Sequence, residues 1–393
     1  MKNEYGDKIN FELDDIINKY ISEKDKYDDE PFYIVNLEKV EEQFKKWIRY
    51  LPYIQPYFAV KSNPDNKIIN LLAKLGCNFD CASKNELINA LSIVNNSDRI
   101  IFANPCKISS HLIYAREKNI NQMTFDSVEE LEKIYNIYPD AQIILRICVD
   151  DTNSKCKFNS KFGCPLCNIP VIFDKIKSLQ MNLSGISFHV GSGCCDAKSF
   201  YNAIKDCHYT YKISQEYGFN ISVIDIGGGF PGVDKNIMFA DICENINNAV
   251  DDFFSYEKNN NIIKFIAEPG RYFTEATHTL IINVIAKKKE NDVIKYYLND
   301  GIYGSFNCIN YDHQTPVLIP LFKKENIIKY NTTFFGPTCD SMDCIYKDIQ
   351  YQELNVGDWL YIDNFGSYTT APSSSFNGFS VTNKKYIHTT LTI

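Results

Sequence analysis

Lys61 ends the short apolar run Tyr57-Phe-Ala-Val60 and is followed at once by Ser62-Asn-Pro64, which breaks the regularity. A lysine held at the mouth of an apolar interior loses hydration, its pKa falls, and the neutral amine can form a Schiff base with an aldehyde. Most lysines after a strand are simply solvated, so Lys61 needs support from elsewhere in the chain. In Ile224-Asp-Ile-Gly227-Gly228-Gly229-Phe-Pro-Gly232 an apolar stretch runs into consecutive glycines, whose N–H groups can converge on a phosphate. The stretch lacks the Gly-Lys-Ser/Thr ending of a P-loop and the spacing of the dinucleotide fingerprint, and a plain turn is the competing account.

Ile266-Ala-Glu268-Pro-Gly270-Arg271 sets a carboxylate close to a guanidinium. They could pair with each other, or Arg271 could hold the phosphate while Glu268 faces a cationic ring nitrogen. A carboxylate about 4 Å from such a nitrogen contributes on the order of 4 kcal/mol at an effective dielectric near 20, about three pKa units, enough to keep it protonated. His189, ahead of Val190-Gly-Ser192-Gly, could be a satisfied core histidine or a flat ring lying against a planar cofactor. A lysine for an aldehyde, glycines for a phosphate and a carboxylate for a ring nitrogen together describe the requirements of pyridoxal 5'-phosphate.

These residues must be positioned by a repeating framework. Candidate strands end at Lys61 and include Asn78–Ala82, Arg99–Asn104, Gln122–Asp126, Gln142–Val149, Ser184–Val190, Val223–Gly227 and Lys264–Glu268, with amphipathic stretches between them. One such stretch runs from Asp65, a plausible N-cap, to Gly76, a helix stop. Eight alternating units predict a (β/α)8 TIM barrel over residues 37–275, and in such a barrel chemistry sits where strands end. Lys61, Asp80, Asn104, Asp126, Arg146, His189, Gly227–Gly229 and Glu268–Arg271 all interrupt the apolar runs at those ends. From about residue 276 to 393 strand patterns follow one another, Thr279–Ala286, Ile294–Leu298, Thr332–Phe335 and Asp358–Asp363, which predicts a mostly β domain. The N-terminal segment 1–36, ending in Phe32-Tyr-Ile-Val35, is expected to join it.

Composition sets the outer bounds. A chain of 393 residues with 45% apolar and 23% charged residues suits an ordered, two-domain globular protein. A net charge of -8 argues against a polyanion-binding surface, so nucleic acid is not an expected partner. The polar start and the lack of a long apolar run predict no membrane span and a cytoplasmic protein. The 14 cysteines are scattered and read as reduced thiols, and the lone Cys164-Pro-Leu-Cys167 is not taken as a metal site.

Ala59–Pro64, Phe79-Asp-Cys-Ala-Ser83, His189–Gly193, Asp225–Gly232, Glu268–Arg271, Gly336-Pro-Thr-Cys-Asp340 and Asp363-Asn-Phe-Gly-Ser-Tyr368 occur in order over nearly the whole chain. Together they resemble the eukaryotic ornithine decarboxylase branch of the fold III, pyridoxal-phosphate-dependent basic amino acid decarboxylases, which share the alanine racemase-like architecture. The resemblance implies that Lys61 carries the cofactor, His189 stacks on its ring and Glu268 pairs with the pyridine nitrogen. It implies that Ser192, Gly229, Gly270, Arg271 and Tyr368 bind phosphate, with Gly227 and Gly228 in the same loop, and that Asp80, Glu86 and Arg146 line the site. Glu86 has a competing role, since Ser83-Lys-Asn-Glu86 is also a capping box. The resemblance further implies an obligate homodimer, with Cys339 and Asp340 supplied across the interface, Lys161 and Asp343 paired there, and Tyr303 and Gly366 at the same surface. Cys339 would return a proton to Cα, although an isolated cysteine is more often a small buried hydrophobe.

The resemblance implies that Tyr311, Asp312, Asp340 and Phe376 bind the substrate. Two carboxylates suit one terminal ammonium and would be costly to leave unpaired. By the same resemblance, aspartate at 312 favours ornithine, which would give putrescine and carbon dioxide. A methylene changes discrimination by only about 1–3 kcal/mol, and Ser341-Met342 stands where the family usually has Gly-Leu, so lysine and arginine stay open. An alanine racemase of the same fold would have no use for Cys339-Asp340, and an inactive, decarboxylase-like binding protein would be expected to lack cofactor or proton-donor positions. The short stretch after Phe379 predicts no destabilising tail.

Overall fold

The computed structural model describes residues 4–322 and 328–388, with side chains from Leu13 onward. The chain divides into two compact units, Lys39–Glu275 and the residues up to Glu38 together with those from Ala276.

In the first unit eight parallel strands close on themselves: Ile54–Ala59, Asn78–Cys81, Ile100–Phe102, Gln122–Phe125, Gln142–Arg146, Asn182–Ser187, Val223–Asp225 and Lys264–Ala267. Tyr57, Ile101, Ala103, Ile144, Val223 and Ile266 fill part of its interior, each contributing roughly 1.5–3 kcal/mol if its side chain is large and fully buried. The helices between strands carry the expected signals. Asp65 accepts from the N–H of Lys67 at 2.9 Å and of Ile68 at 3.4 Å, and the helix Asn66–Leu75 stops at Gly76, whose φ is +95°.

The strands stop earlier than the apolar runs suggest. Ile100–Phe102 ends before Asn104, Gln142–Arg146 before Val149, Asn182–Ser187 before Val190, Val223–Asp225 before Gly227 and Lys264–Ala267 before Glu268. Lys61 itself lies in the 3-10 turn Val60–Ser62 beyond the first barrel strand. At the rim the chain leaves the ladder for backbone shapes a strand cannot hold, as at Gly227 with φ +63°. An unexpected antiparallel pair, Ser154–Cys156 with Ser192–Cys194, sets Ser192 in place.

The second unit is an eight-stranded sheet. Phe32–Asn36 pairs antiparallel with His278–Glu290 and parallel with Asn383–Ile387. Trp359–Ile362 lies on the other side of His278–Glu290, and Val293–Leu298, Lys329–Phe335 and Cys344–Gln352 continue the sheet. Three strands, Ile319–Pro320 (paired with Trp359–Ile362), Cys344–Gln352 and Asn383–Ile387, and the helix Glu4–Ser22 escape the sequence reading. All three strands are mostly half-exposed, and the two longer ones carry no continuous apolar run. The helix did show a helical spacing, Leu13, Ile16, Ile17, Tyr20 and Ile21, and these side chains cover Phe32, Ile34 and Ile281. No helix among the described residues is long and apolar enough to cross a membrane.

Candidate active site

Neighbouring strands bring the first pair together. Ala59 is in register with Asp80, so the turn after Ala59 delivers Lys61 beside that carboxylate, Nζ to Oδ2 2.5 Å. Asp80 is buried whereas the Lys61 side chain is 39% exposed, which leaves the amine reachable while its anchor is not. Burial pushes the Asp80 carboxyl up, and the Lys61 and Arg146 charges oppose that shift. Glu86 does double as a cap, in an altered form of the box. Its N–H donates to Ser83 Oγ at 3.4 Å, but its own Oε2 accepts from Ala82 N–H at 2.6 Å, one residue ahead of the cap. Burial also raises the Glu86 carboxyl.

Further round the rim stand Arg146, Asp225 and Glu268. The Arg146 guanidinium lies 5.2 Å from the Phe162 ring centre and 6.0 Å from that of Phe158. Asp225 was not expected in the site. It is fully buried, its Oδ1 accepts from Gly227 N–H at 2.9 Å, and its Oδ2 has no hydrogen-bond partner. Burial raises its carboxyl to about 7. Glu268 is pushed well up by the same cause, with the Asp225 and Asp80 charges adding to it. The one sequence signal for Asp225 was an acid inside the apolar run Val223-Ile-Asp-Ile226.

His189 is held by its own loop, Nδ1 accepting from Gly191 N–H at 2.9 Å, so the neutral ring carries its proton on Nε2. Burial, then the Arg146 and Lys61 charges, drive its pKa well down. A Cβ on Gly228 would stand 2.9 Å from His189 Nε2, and one on Gly227 only 2.1 Å from the Phe188 carbonyl oxygen, so the glycine run must be bare to pass here. Phe230 anchors the far side of the run edge-on to Trp47 at 4.9 Å. Arg271 Nη2 donates to Ser192 Oγ at 3.3 Å. Gly270 also serves packing, since a Cβ there would lie 2.9 Å from Ser62 Cβ.

The rim suits pyridoxal phosphate at both ends. Asp80, Asp225 and Glu268 outnumber Lys61 and Arg146, and Asp80 Oδ1 and Asp225 Oδ2 are buried without partners, which favours a protonated ring nitrogen nearby. The glycine run, Ser192 and Arg271 present N–H, hydroxyl and guanidinium groups to an anion.

The remaining expected residues, Lys161 of the barrel unit apart, lie in the other unit. Asp340 Oδ2 accepts from the Tyr303 hydroxyl and Oδ1 from Met342 N–H at 2.9 Å. Tyr303 stacks on Phe376, ring centres 4.3 Å apart, and Cys339 N–H donates to Asn377 Oδ1 at 2.9 Å. Tyr303, expected at an interface, thus also holds Asp340, and Asn377, with φ +54°, supports the Cys339 backbone without having been foreseen. Cys339 is exposed. Asp312 is buried, and its Oδ2 accepts from Gln314 Nε2 at 2.5 Å, while Tyr311 beside it is 72% exposed. Gly366 is buried and Tyr368 adopts φ +55°. Asp343 is buried and accepts from Ile302 N–H, Thr338 N–H and Thr338 Oγ1 at 2.7–3.0 Å, taking three of the roughly four acceptor positions of a carboxylate. Lys161 is an exposed lysine.

The family model described as "Pyridoxal-dependent decarboxylase, pyridoxal binding domain" matches residues 37–275. The chain is 42% identical over 366 residues to "Ornithine decarboxylase" of Caenorhabditis elegans, covering 90% of this chain and 86% of that one. It is 40% identical over 382 residues to "Antizyme inhibitor 2" of Xenopus laevis, covering 93% and 82%. Among solved structures, the arginine decarboxylase of Paramecium bursaria Chlorella virus superposes with a TM-score of 0.89 at 31% identity, covering 95% of this chain and all of the other.

Proposed function

The chain belongs to the family of pyridoxal-dependent decarboxylases, and from that premise we propose that it converts L-ornithine to putrescine and carbon dioxide. The observation that carries this reading is Lys61 held at 2.5 Å by the buried Asp80, on a rim shared with Arg146, Glu268 and a glycine run. Overall identity does not separate a catalyst from a relative named for another role. The presence of Lys61, Glu268, Arg271 and Cys339 together supports the enzyme reading.

Pyridoxal phosphate, when bound, supplies an aldehyde for the substrate amine and an electron-withdrawing ring for the pair left as carbon dioxide departs. Asp80 keeps Lys61 oriented and poised for proton exchange. Ser192, Gly227–Gly229, Gly270, Arg271 and Tyr368 take the phosphate, and Glu86 and Arg146 line the pocket. Glu268 holds the ring nitrogen's proton, and the neutral His189 lies against the ring. Cys339 gives a proton to Cα after carbon dioxide leaves. Tyr311, Asp312, Asp340 and Phe376 receive the distal ammonium and the apolar chain that precedes it.

Exposed Cys339 beside Tyr303, Phe376 and the Asp340 carboxylate forms a surface that a second copy would complete, so the working unit is a homodimer with Lys161, Asp343, Tyr303 and Gly366 at its interface. A cytoplasmic setting fits 14 free cysteines and polyamine synthesis. Carbon dioxide release from ornithine, lysine and arginine, with and without added pyridoxal phosphate, tests the reading. Release from ornithine in excess of the other two, dependent on the cofactor, is expected. Preference for lysine or arginine would reassign the substrate, and no release from any of them would remove the enzyme reading.

A further inference from the structure

Asp312 is held by a group that no family motif quoted above includes. It follows the short helix Cys308–Tyr311, and both its own N–H and that of Gln314 donate to the Cys308 carbonyl at 3.1 Å. Between them His313 takes φ +53°, which turns the chain back on itself. The turn brings the Gln314 side chain over Asp312. Its Nε2 donates to Asp312 Oδ2 at 2.5 Å and to the Ser367 carbonyl at 3.1 Å. Both partners are acceptors, so the amide must present its nitrogen to them and spends both of its hydrogens there.

Ser367 is itself fixed. It is 1% exposed and lies in the turn where Thr369 Oγ1 donates to the Phe365 carbonyl at 2.8 Å and Asn307 Nδ2 to the Thr369 carbonyl at 2.5 Å. The next residue, Tyr368, is the one assigned to the cofactor phosphate. Gln314 therefore joins the acid assigned to the substrate's far end to the turn assigned to the cofactor's anchor, within one unit of the fold. We propose that Gln314 is a specificity-setting positioning residue, which fixes the Asp312 carboxylate at a set distance from the Tyr368 turn and so sets the length of diamine chain the site accepts. The proposal rests on the reading of Asp312 as a substrate-binding residue.

A carboxylate fixed in position discriminates chain length better than one free to follow the ammonium. One methylene is worth about 10–200-fold in a site of fixed length. A hydrogen bond to a charged group typically accounts for about 10–100-fold in binding. In the cofactor-loaded full-length protein, Gln314→Met keeps the bulk of the side chain and removes the donor. Its ornithine KM is expected to rise about tenfold while kcat changes little, and its preference for ornithine over lysine is expected to fall about tenfold. Calorimetric binding of putrescine should weaken to a similar degree, with the visible absorbance of the bound cofactor unchanged. If Gln314→Met does not fold, Gln314→Ala removes the same donor without added bulk and is expected to show the same pattern.

Asp312→Asn separates the two levels. If it loses putrescine binding while the Gln314 variants keep wild-type KM and wild-type ornithine-to-lysine ratio, Gln314 is overturned and Asp312 stands. If Asp312→Asn binds putrescine as the wild type does, both assignments fall. A Gln314 variant that lowers kcat and cofactor absorbance without moving the substrate ratio is merely structural and overturns the proposal as well.

Discussion

At the barrel rim, Asp80, Asp225 and Glu268 are all less than a tenth exposed, and burial pushes each carboxyl upward. In the other unit, Cys339 is exposed and Asp340 half-buried, and Asp340 is held below its ordinary value by the Met342 N–H and the Tyr303 hydroxyl. The rim concentrates charge where water is scarce, so each group there changes the ionisation of the others. The loop fixes its groups by geometry, through Asn377 under Cys339 and Phe376 against Tyr303. On the roles proposed above, electronic work falls to the first region and substrate handling to the second. Variants on the rim should accordingly disturb cofactor and ionisation together, and variants on the loop should change product formation with the cofactor in place.

The sharpest contrast comes from the two groups assigned to chemistry. Lys61→Ala should abolish the visible absorbance of lysine-linked cofactor and lower carbon dioxide release by about a thousandfold or more. Retained absorbance would separate Lys61 from the cofactor and with it the role of the whole rim. Cys339→Ala should lower putrescine formation by about a hundredfold to ten-thousandfold, the usual worth of a positioned proton donor, and leave the cofactor absorbance intact. Equal yields from variant and wild type would take proton return away from the loop.

Ionisation gives the next test. Asp225 titrates near 7 in the folded protein against an ordinary 3.8. The folded state therefore binds the extra proton between those values, and stability of the cofactor-free protein should be greatest below about pH 4 for this group and fall as pH rises through 7. The span corresponds to something on the order of 4 kcal/mol. Asp225→Asn should flatten that part of the profile, measured as thermal midpoint against pH; a slope unchanged in the variant would place the proton elsewhere on the rim. The smallest effect is expected on the exposed side. Tyr303→Phe removes one hydrogen bond to a half-buried carboxylate that keeps its Met342 N–H bond, and ornithine KM should rise by only about threefold. A loss of cofactor absorbance in this variant would break the division between the two regions.

Much of the site could be read directly, because its chemistry is spelled by adjacent residues. Lys61 before Ser-Asn-Pro, three glycines after an apolar run and Glu268 close to Arg271 are each visible locally, and taken together they suggest one cofactor. The same apolar runs misplace the strand ends, since hydrophobicity continues into rim loops that must leave the sheet to hold polar groups. In the helix Glu4–Ser22 the apolar period Leu13, Ile16, Ile17, Tyr20 and Ile21 is interleaved with Asp14, Asp15 and Lys19, which weakens it as a local signal. Gln314 and Asn377 could not be found by type, as an amide has no chemistry of its own until a partner stands beside it.

The chain alone determined which reactive groups exist and the alternation that builds a closed barrel, because residue type and hydrophobic period are properties of neighbours in sequence. Tertiary structure alone decided that Asp80 lies beside Lys61, that Asp225 joins Glu268 with no partner for its second oxygen, and that Tyr303 and Gln314 hold the two acids assigned to the substrate. Those outcomes depend on strand register across long crossovers and on how far water is excluded, and both arise only when distant parts of the chain come together.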